Sequence, residues 1–103
     1  MHRVVLTNRA ETSLQEITDY YLLEFTPERA MKVIDSIVIA FAKIARKPQL
    51  FPVNFDIAHP QQNIRQAIVH NTFKIIFRFN DKEIEIIEIF HGSRNPRLLK
   101  DIK

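Results

Sequence analysis

The stretch Ile84-Glu85-Ile86-Ile87-Glu88-Ile89-Phe90-His91-Gly92-Ser93-Arg94-Asn95-Pro96 decides the fold. Its first half is β-branched and aromatic, the composition of a buried strand. Its second half is polar and basic and holds the one glycine of the chain. Gly92 permits a sharp turn there, and Pro96 stops further ladder pairing. A core strand thus delivers His91 and Arg94 to the end of a sheet. The alternation inside the strand is broken, because Ile84 and Ile86 share one parity and Ile87 and Ile89 the other. Either both faces are covered or a β-bulge between Ile86 and Ile87 shifts the phase. Without a bulge, His91 lies on the face that carries Arg65 and Arg78; with one, it turns to the core side.

Working outward, period-two runs also occupy Ile64 to Val69 and Phe73 to Phe79, separated by short turns at His70 to Thr72 and near Asn80-Asp81. This is the pattern of a three-stranded antiparallel meander. A two-residue loop at Asn71-Thr72 pairs His70 with Phe73 and sets Arg65 opposite Arg78. Both arginines then face away from the helices, and Ile64, Ile68, Phe73, Ile75, Phe77 and Phe79 form the opposite, apolar layer. Two like charges directly across a strand pair cost up to about 1 kcal/mol. Glu83 or Glu85 on the next strand relieves Arg78; an external anion is the favoured reading for Arg65, which is farther from those acids.

Before the meander, His2 to Leu6 reads as a short strand. A helix follows, with Asn8 and Glu11 at capping-box spacing and Ala10, Leu14, Ile17, Tyr21 and Phe25 in one apolar stripe. Thr26-Pro27-Glu28 ends it and starts another: Thr26 suits an N-cap, Pro27 the first helical position and Glu28 the positive helix end. This second helix runs to about Lys47 and presents Ala30, Ile34, Ile37, Phe41 and Ile44 as its core stripe. Ile39 falls on its polar side, among Arg29, Lys32, Ser36 and Lys43. The short link makes the pair an antiparallel hairpin. Gln49 to Asn63, with Pro52 and Pro60, is a long loop with enough apolar residues to pack against the domain. The fold class is α+β: an N-terminal strand and an α-helical hairpin packed on an antiparallel sheet, in the order β-α-α-β-β-β.

At 103 residues the chain, 1–103, is one domain with one core. Apolar residues at 46% and charged residues at 26% are the balance of a globular protein. The start lacks a secretory h-region and the longest helical apolar run, Ile37 to Ala42, is far too short for a membrane span, so a cytoplasmic protein without membrane contact is expected. Zero cysteines exclude disulfides and thiolate chemistry. His2, His59, His70 and His91 lack metal-ligand spacing, and a single glycine excludes a phosphate-binding loop, so neither metal nor cofactor is expected. No carboxylate orients Ser93 beside His91, which argues against a nucleophilic serine. The net charge of +3 arises entirely after residue 62, and Arg94, Arg97, Lys100 and Lys103 against Asp101 make the tail basic.

Strand, helix hairpin, long loop and a meander closing in His91-Gly92-Ser93-Arg94-Asn95-Pro96 resembles the RelE/ParE superfamily of toxins from type II toxin–antitoxin modules, the plasmid-stabilisation proteins. Arg65 at the opening of the first meander strand and Phe73-Lys74-Ile75-Ile76-Phe77-Arg78, where the family commonly has Tyr-x-Ile-x-Tyr-Arg, add to the likeness. Two activities live on this fold. The resemblance to ribosome-dependent mRNA endonucleases implies a catalytic set of Arg65, Arg78, His91 and Arg94, with His91 as the group titrating near neutrality. That branch's lysines before the meander have no counterpart in Pro48 to Asn63, and its C-terminal tyrosine is missing, both tyrosines lying in the first helix. The resemblance to ParE implies a DNA gyrase inhibitor that acts by binding through Arg94, Arg97, Lys100 and Lys103, and the closing motif is nearer to this branch. Both imply a cognate antitoxin that folds on the toxin; a homo-oligomer and a toxin–antitoxin hetero-oligomer are both compatible. A non-toxic binding module on the same fold is the third reading.

Overall fold

A computed structural model describes residues 2–53 and 64–91. Strand β1, Arg3–Leu6, leads through Thr7 into helix α1, Asn8–Glu24. Helix α2, Pro27–Arg46, returns antiparallel and ends in a 3-10 turn, Pro48–Leu50. Strands β2, Arg65–Val69, β3, Phe73–Phe79, and β4, Glu83–His91, complete a four-stranded sheet of order β1-β4-β3-β2. The meander is antiparallel, as its hairpin links require, whereas β1 adds to β4 in parallel.

Both helix starts follow from their caps. Thr26 accepts from the Arg29 amide and Pro27 occupies the first turn, as its sequence implies. The cap of α1 is Thr7 rather than Asn8. Its Oγ1 accepts from the Ala10 amide at 3.0 Å and donates to the Ile87 carbonyl at 2.8 Å, so the residue that begins the helix also fastens it to β4. Asn8 is instead the first helical residue.

One face of the sheet receives the helices. Ala10, Ile17 and Tyr21 of α1 and Ala30, Ile37 and Ile44 of α2 meet Ala67, Val69, Phe73, Ile75, Phe77, Ile84, Ile86 and Ile89 in the main core. A smaller cluster of Ile64, Ile76, Ile87 and Phe90 lies on the other face. Ile39, on the polar side of α2, is exposed.

Two registers differ from the simplest reading of the sequence. The first hairpin has a three-residue loop: Val69 pairs with Phe73, the Thr72 amide closes onto the Val69 carbonyl, and His70 and Asn71 both take φ of 53°. Asparagine tolerates the left-handed region, which lets the turn form without glycine. Arg65 is consequently opposite Phe77, not Arg78. A one-residue slip reverses every facing, so Arg65 shares the helix side with Ala67 and Val69, while Ile64 joins the opposite cluster and Ile68 is exposed. The second change is in β4, where Ile76 pairs with Glu88 but Phe77 pairs with Ile86. Ile87 is the inserted residue of a β-bulge, the explanation the broken alternation allowed.

Of the long loop, Gln49 to Val53 is described, and Val53 bridges Arg65. Its remainder, the turn at Gly92 and the basic tail lie outside the described residues.

Candidate functional site

The bulge at Ile87 decides where His91 goes. Beyond it, Ile89 faces Ile75 and His91 faces Phe73, both on the helix side. Helix α1 brings its last two turns over the same place. Tyr21, a stripe residue, is buried, and its hydroxyl lies 3.3 Å from His91 Nε2. Phe73 meets the imidazole edge-on at 5.2 Å between centroids, and Tyr20 approaches it at 5.6 Å. Phe25 stacks on Tyr21, and the Arg29 guanidinium sits 5.0 Å over the Phe25 ring. Burial raises the Tyr21 phenol above its ordinary 10.0, Tyr20 adds to the rise, and Arg29 opposes it. The phenol is therefore neutral at physiological pH and can donate to the imidazole or accept from it.

Arg65 occupies the opposite end of the helix-side layer. Its Nη1 donates to the Phe51 carbonyl at 2.5 Å and to the Gln49 carbonyl at 3.3 Å, and its guanidinium lies over Phe79. Nε is buried without a partner among the described residues. Arg65 thus ties the turn after α2 to the sheet. Arg78 lies on the other face in an ion pair with Glu85 at 2.5 Å, its direct cross-strand neighbour. The acid on the last strand relieves this arginine, as its parity implied. Arg65, Arg78 and His91 accordingly occupy three separate environments: a carbonyl clamp, an ion pair and an aromatic corner. Arg94, Arg97, Lys100 and Lys103 lie outside the described residues.

A second cluster fixes the bulge. Glu88 is buried; one carboxylate oxygen accepts from the Ser13 hydroxyl and from the Ile89 amide, and the other accepts from Arg9 Nε at 2.9 Å. A buried carboxylate is tolerated when its lone pairs are matched in this way. The cluster docks the first turns of α1 on the part of β4 that β1 is too short to cover. Sequence reasoning did not single out Glu88, Ser13, Tyr20 or Tyr21. The available signals were a tyrosine on an apolar stripe, whose hydroxyl needs a partner, and a glutamate amid five apolar neighbours in β4.

The family model for the ParE toxin of the type II toxin–antitoxin system, parDE, matches residues 4–96. The chain belongs to the ParE toxin family. Among solved structures, a chain described as the chromosomal ParDE TA system from P. aeruginosa superposes with a TM-score of 0.71 at 23% identity, covering 90% of this chain and 98% of that one. At that identity the likeness is one of fold. No curated protein matches the chain. The ParE model spans β1 to Pro96 and so includes the closing motif as well as the aromatic corner. Among the described residues of this ParE-family chain, no helix is long and apolar enough to cross a membrane, and no three histidine or acidic side chains gather as a metal site.

Proposed function

We propose that this ParE-family chain is the toxin of a type II module, held inactive by a cognate antitoxin, and that it arrests growth in the cytoplasm by binding DNA gyrase rather than by cutting RNA. The observation that carries this reading is the separation of Arg65, Arg78 and His91. Cleavage of an RNA phosphodiester needs a base, a cation and an acid converging on one phosphate. Here Arg65 is engaged with backbone carbonyls, Arg78 with Glu85 on the other face, and His91 with tyrosines. Binding needs no such convergence. Arg94, Arg97, Lys100 and Lys103 then form the contact surface for the target, the basic tail following directly on the strand that ends at His91.

Two assays run side by side test this. The purified chain is expected to block gyrase supercoiling while leaving mRNA intact on translating ribosomes, and removal of the residues after Pro96 is expected to weaken inhibition at least tenfold. Unaffected gyrase together with mRNA fragments that disappear in Arg65→Ala or His91→Ala would overturn the proposal in favour of the ribonuclease. Unimpaired growth of cells expressing the chain alone would reject toxicity altogether.

A further inference from the structure

Helix α2 carries apolar residues on the face it turns away from the sheet. Half of the residues it exposes between Met31 and Arg46 are apolar: Met31 at 65% exposure, Val38 at 52%, Ile39 at 55%, and Ala42. An amphipathic helix places polar residues there. Val38, Ile39 and Ala42 adjoin one another at helical spacing of three and four residues, so they form one patch and not scattered points. Exposed apolar patches of this kind mark contact sites.

The charges on this face are arranged about Ile39. Asp35 lies one turn before it and Lys43 one turn after, both exposed and on the same ridge of residues four apart. About 12 Å of helix separates the two, too far for them to meet each other. Neither forms an ion pair among the described residues. Turning a second α2 about a two-fold axis through Ile39 matches them: Asp35 of each copy meets Lys43 of the other, with the two isoleucines at the axis. The same rotation sets Ser36 against Ala42, small residues that let the backbones approach. It also brings Arg46 toward Lys32, but about 10 Å along each helix from the axis, where helices crossing at about 50° have diverged.

We infer that this face of α2 joins two copies of the chain in a symmetric dimer, the two helices antiparallel and crossing at Ile39. The dimer is independent of the target that the toxin acts on. Other occupants fit the face less well. A nucleic-acid backbone meets Asp35 and the apolar residues beside it, and a peptide of either charge leaves Asp35 or Lys43 unanswered, whereas a second copy answers both. One helix pair covers less than the roughly 800 Å² per partner of a standard interface, so the dimer is weak, with a dissociation constant of about 10–100 µM.

Sedimentation equilibrium of the full chain across and above that range tests the inference, with dimer expected at the upper end and monomer well below it. Asp35→Lys or Lys43→Asp alone is expected to weaken association about tenfold, since each turns two attractive pairs into repulsive ones. The double variant Asp35→Lys/Lys43→Asp regenerates both pairs and is expected to restore wild-type association. The chain has no cysteine, so Ile39→Cys supplies a single thiol, and at the axis two such thiols come within disulfide reach. Mild oxidation is expected to link Ile39→Cys into dimers much faster than Leu23→Cys, whose position on α1 is 84% exposed but off the axis. Denaturant midpoints, taken where every variant is monomeric, separate lost association from lost folding. A chain that stays monomeric throughout, a double variant as weak as either single one, or equal cross-linking of Leu23→Cys and Ile39→Cys overturns the inference and leaves this face of α2 to a different partner.

Discussion

Tyr21 joins the end of α1 to the end of β4, and its hydroxyl is the one polar atom the helix stripe sends into the aromatic corner. Removing it in Tyr21→Phe leaves the stacking with Phe25 and the packing on Phe73 but deprives His91 Nε2 of a neighbour at 3.3 Å. At neutral pH the expected cost is about 1 kcal/mol. The raised phenol gives that loss a pH signature. Below the unfolded-state value near 10, both states hold the proton and the stability is constant. As pH rises from there through the higher folded-state value, the unfolded chain releases its proton first, so the wild-type protein loses stability that Tyr21→Phe does not. Urea midpoints measured between pH 7 and 11 should therefore converge with rising pH; parallel curves would show that burial does not hold the phenol proton. Arg65 teaches the complementary lesson at the same scale. A basic residue at a family motif position reads as a ligand site in sequence, whereas its geometry is that of a clamp on the Gln49 and Phe51 carbonyls.

The elements of the fold follow from local rules; apart from the α1 cap, which falls on Thr7 instead of Asn8, the two places where the simplest rule fails are both questions of phase. Helix α2 needs only Thr26, Pro27 and its stripe to be located, and the meander needs only period two. The three-residue hairpin loop and the bulge are set by long-range fit. Val69 and Phe73 must both face the core, and Thr7, Arg9 and Ser13 must reach Ile87 and Glu88 from another element. No short window along the chain contains both Thr7 and Ile87 or both Ser13 and Glu88, so sequence could name the bulge as an alternative but not choose it. The bulge hypothesis has a sharp consequence for deletions. Because Ile87 is the inserted residue, its removal makes β4 regular and leaves His91 opposite Phe73, still against Tyr21. Removing Phe90 instead reverses the last residue and carries His91 to the other face. Loss of buried Ile87 should cost about 2 kcal/mol, yet the nuclear Overhauser contact between the His91 and Tyr21 rings should survive in that variant and vanish in the Phe90 deletion. Its absence in the Ile87 deletion would mean that the inserted residue lies elsewhere.

At the scale of the molecule, the larger of two apolar clusters lies between the helices and the four-stranded sheet, and the smaller lies on the sheet's other face. Helix α2 passes from core to surface within three residues. Ile37 is fully buried between the helices and the sheet, whereas Ile39 is more than half exposed on the polar side of the helix. Total stability for a domain of this length is about 5–15 kcal/mol. Ile37→Ala leaves a cavity in the middle of the main core and should cost about 2–5 kcal/mol, a large share of that total. Ile39→Ala removes a side chain that already meets water and should cost less than about 0.5 kcal/mol. Denaturant midpoints measured on the two variants decide the matter. Equal stability losses would show that the division of α2 into a buried and an exposed face is wrong.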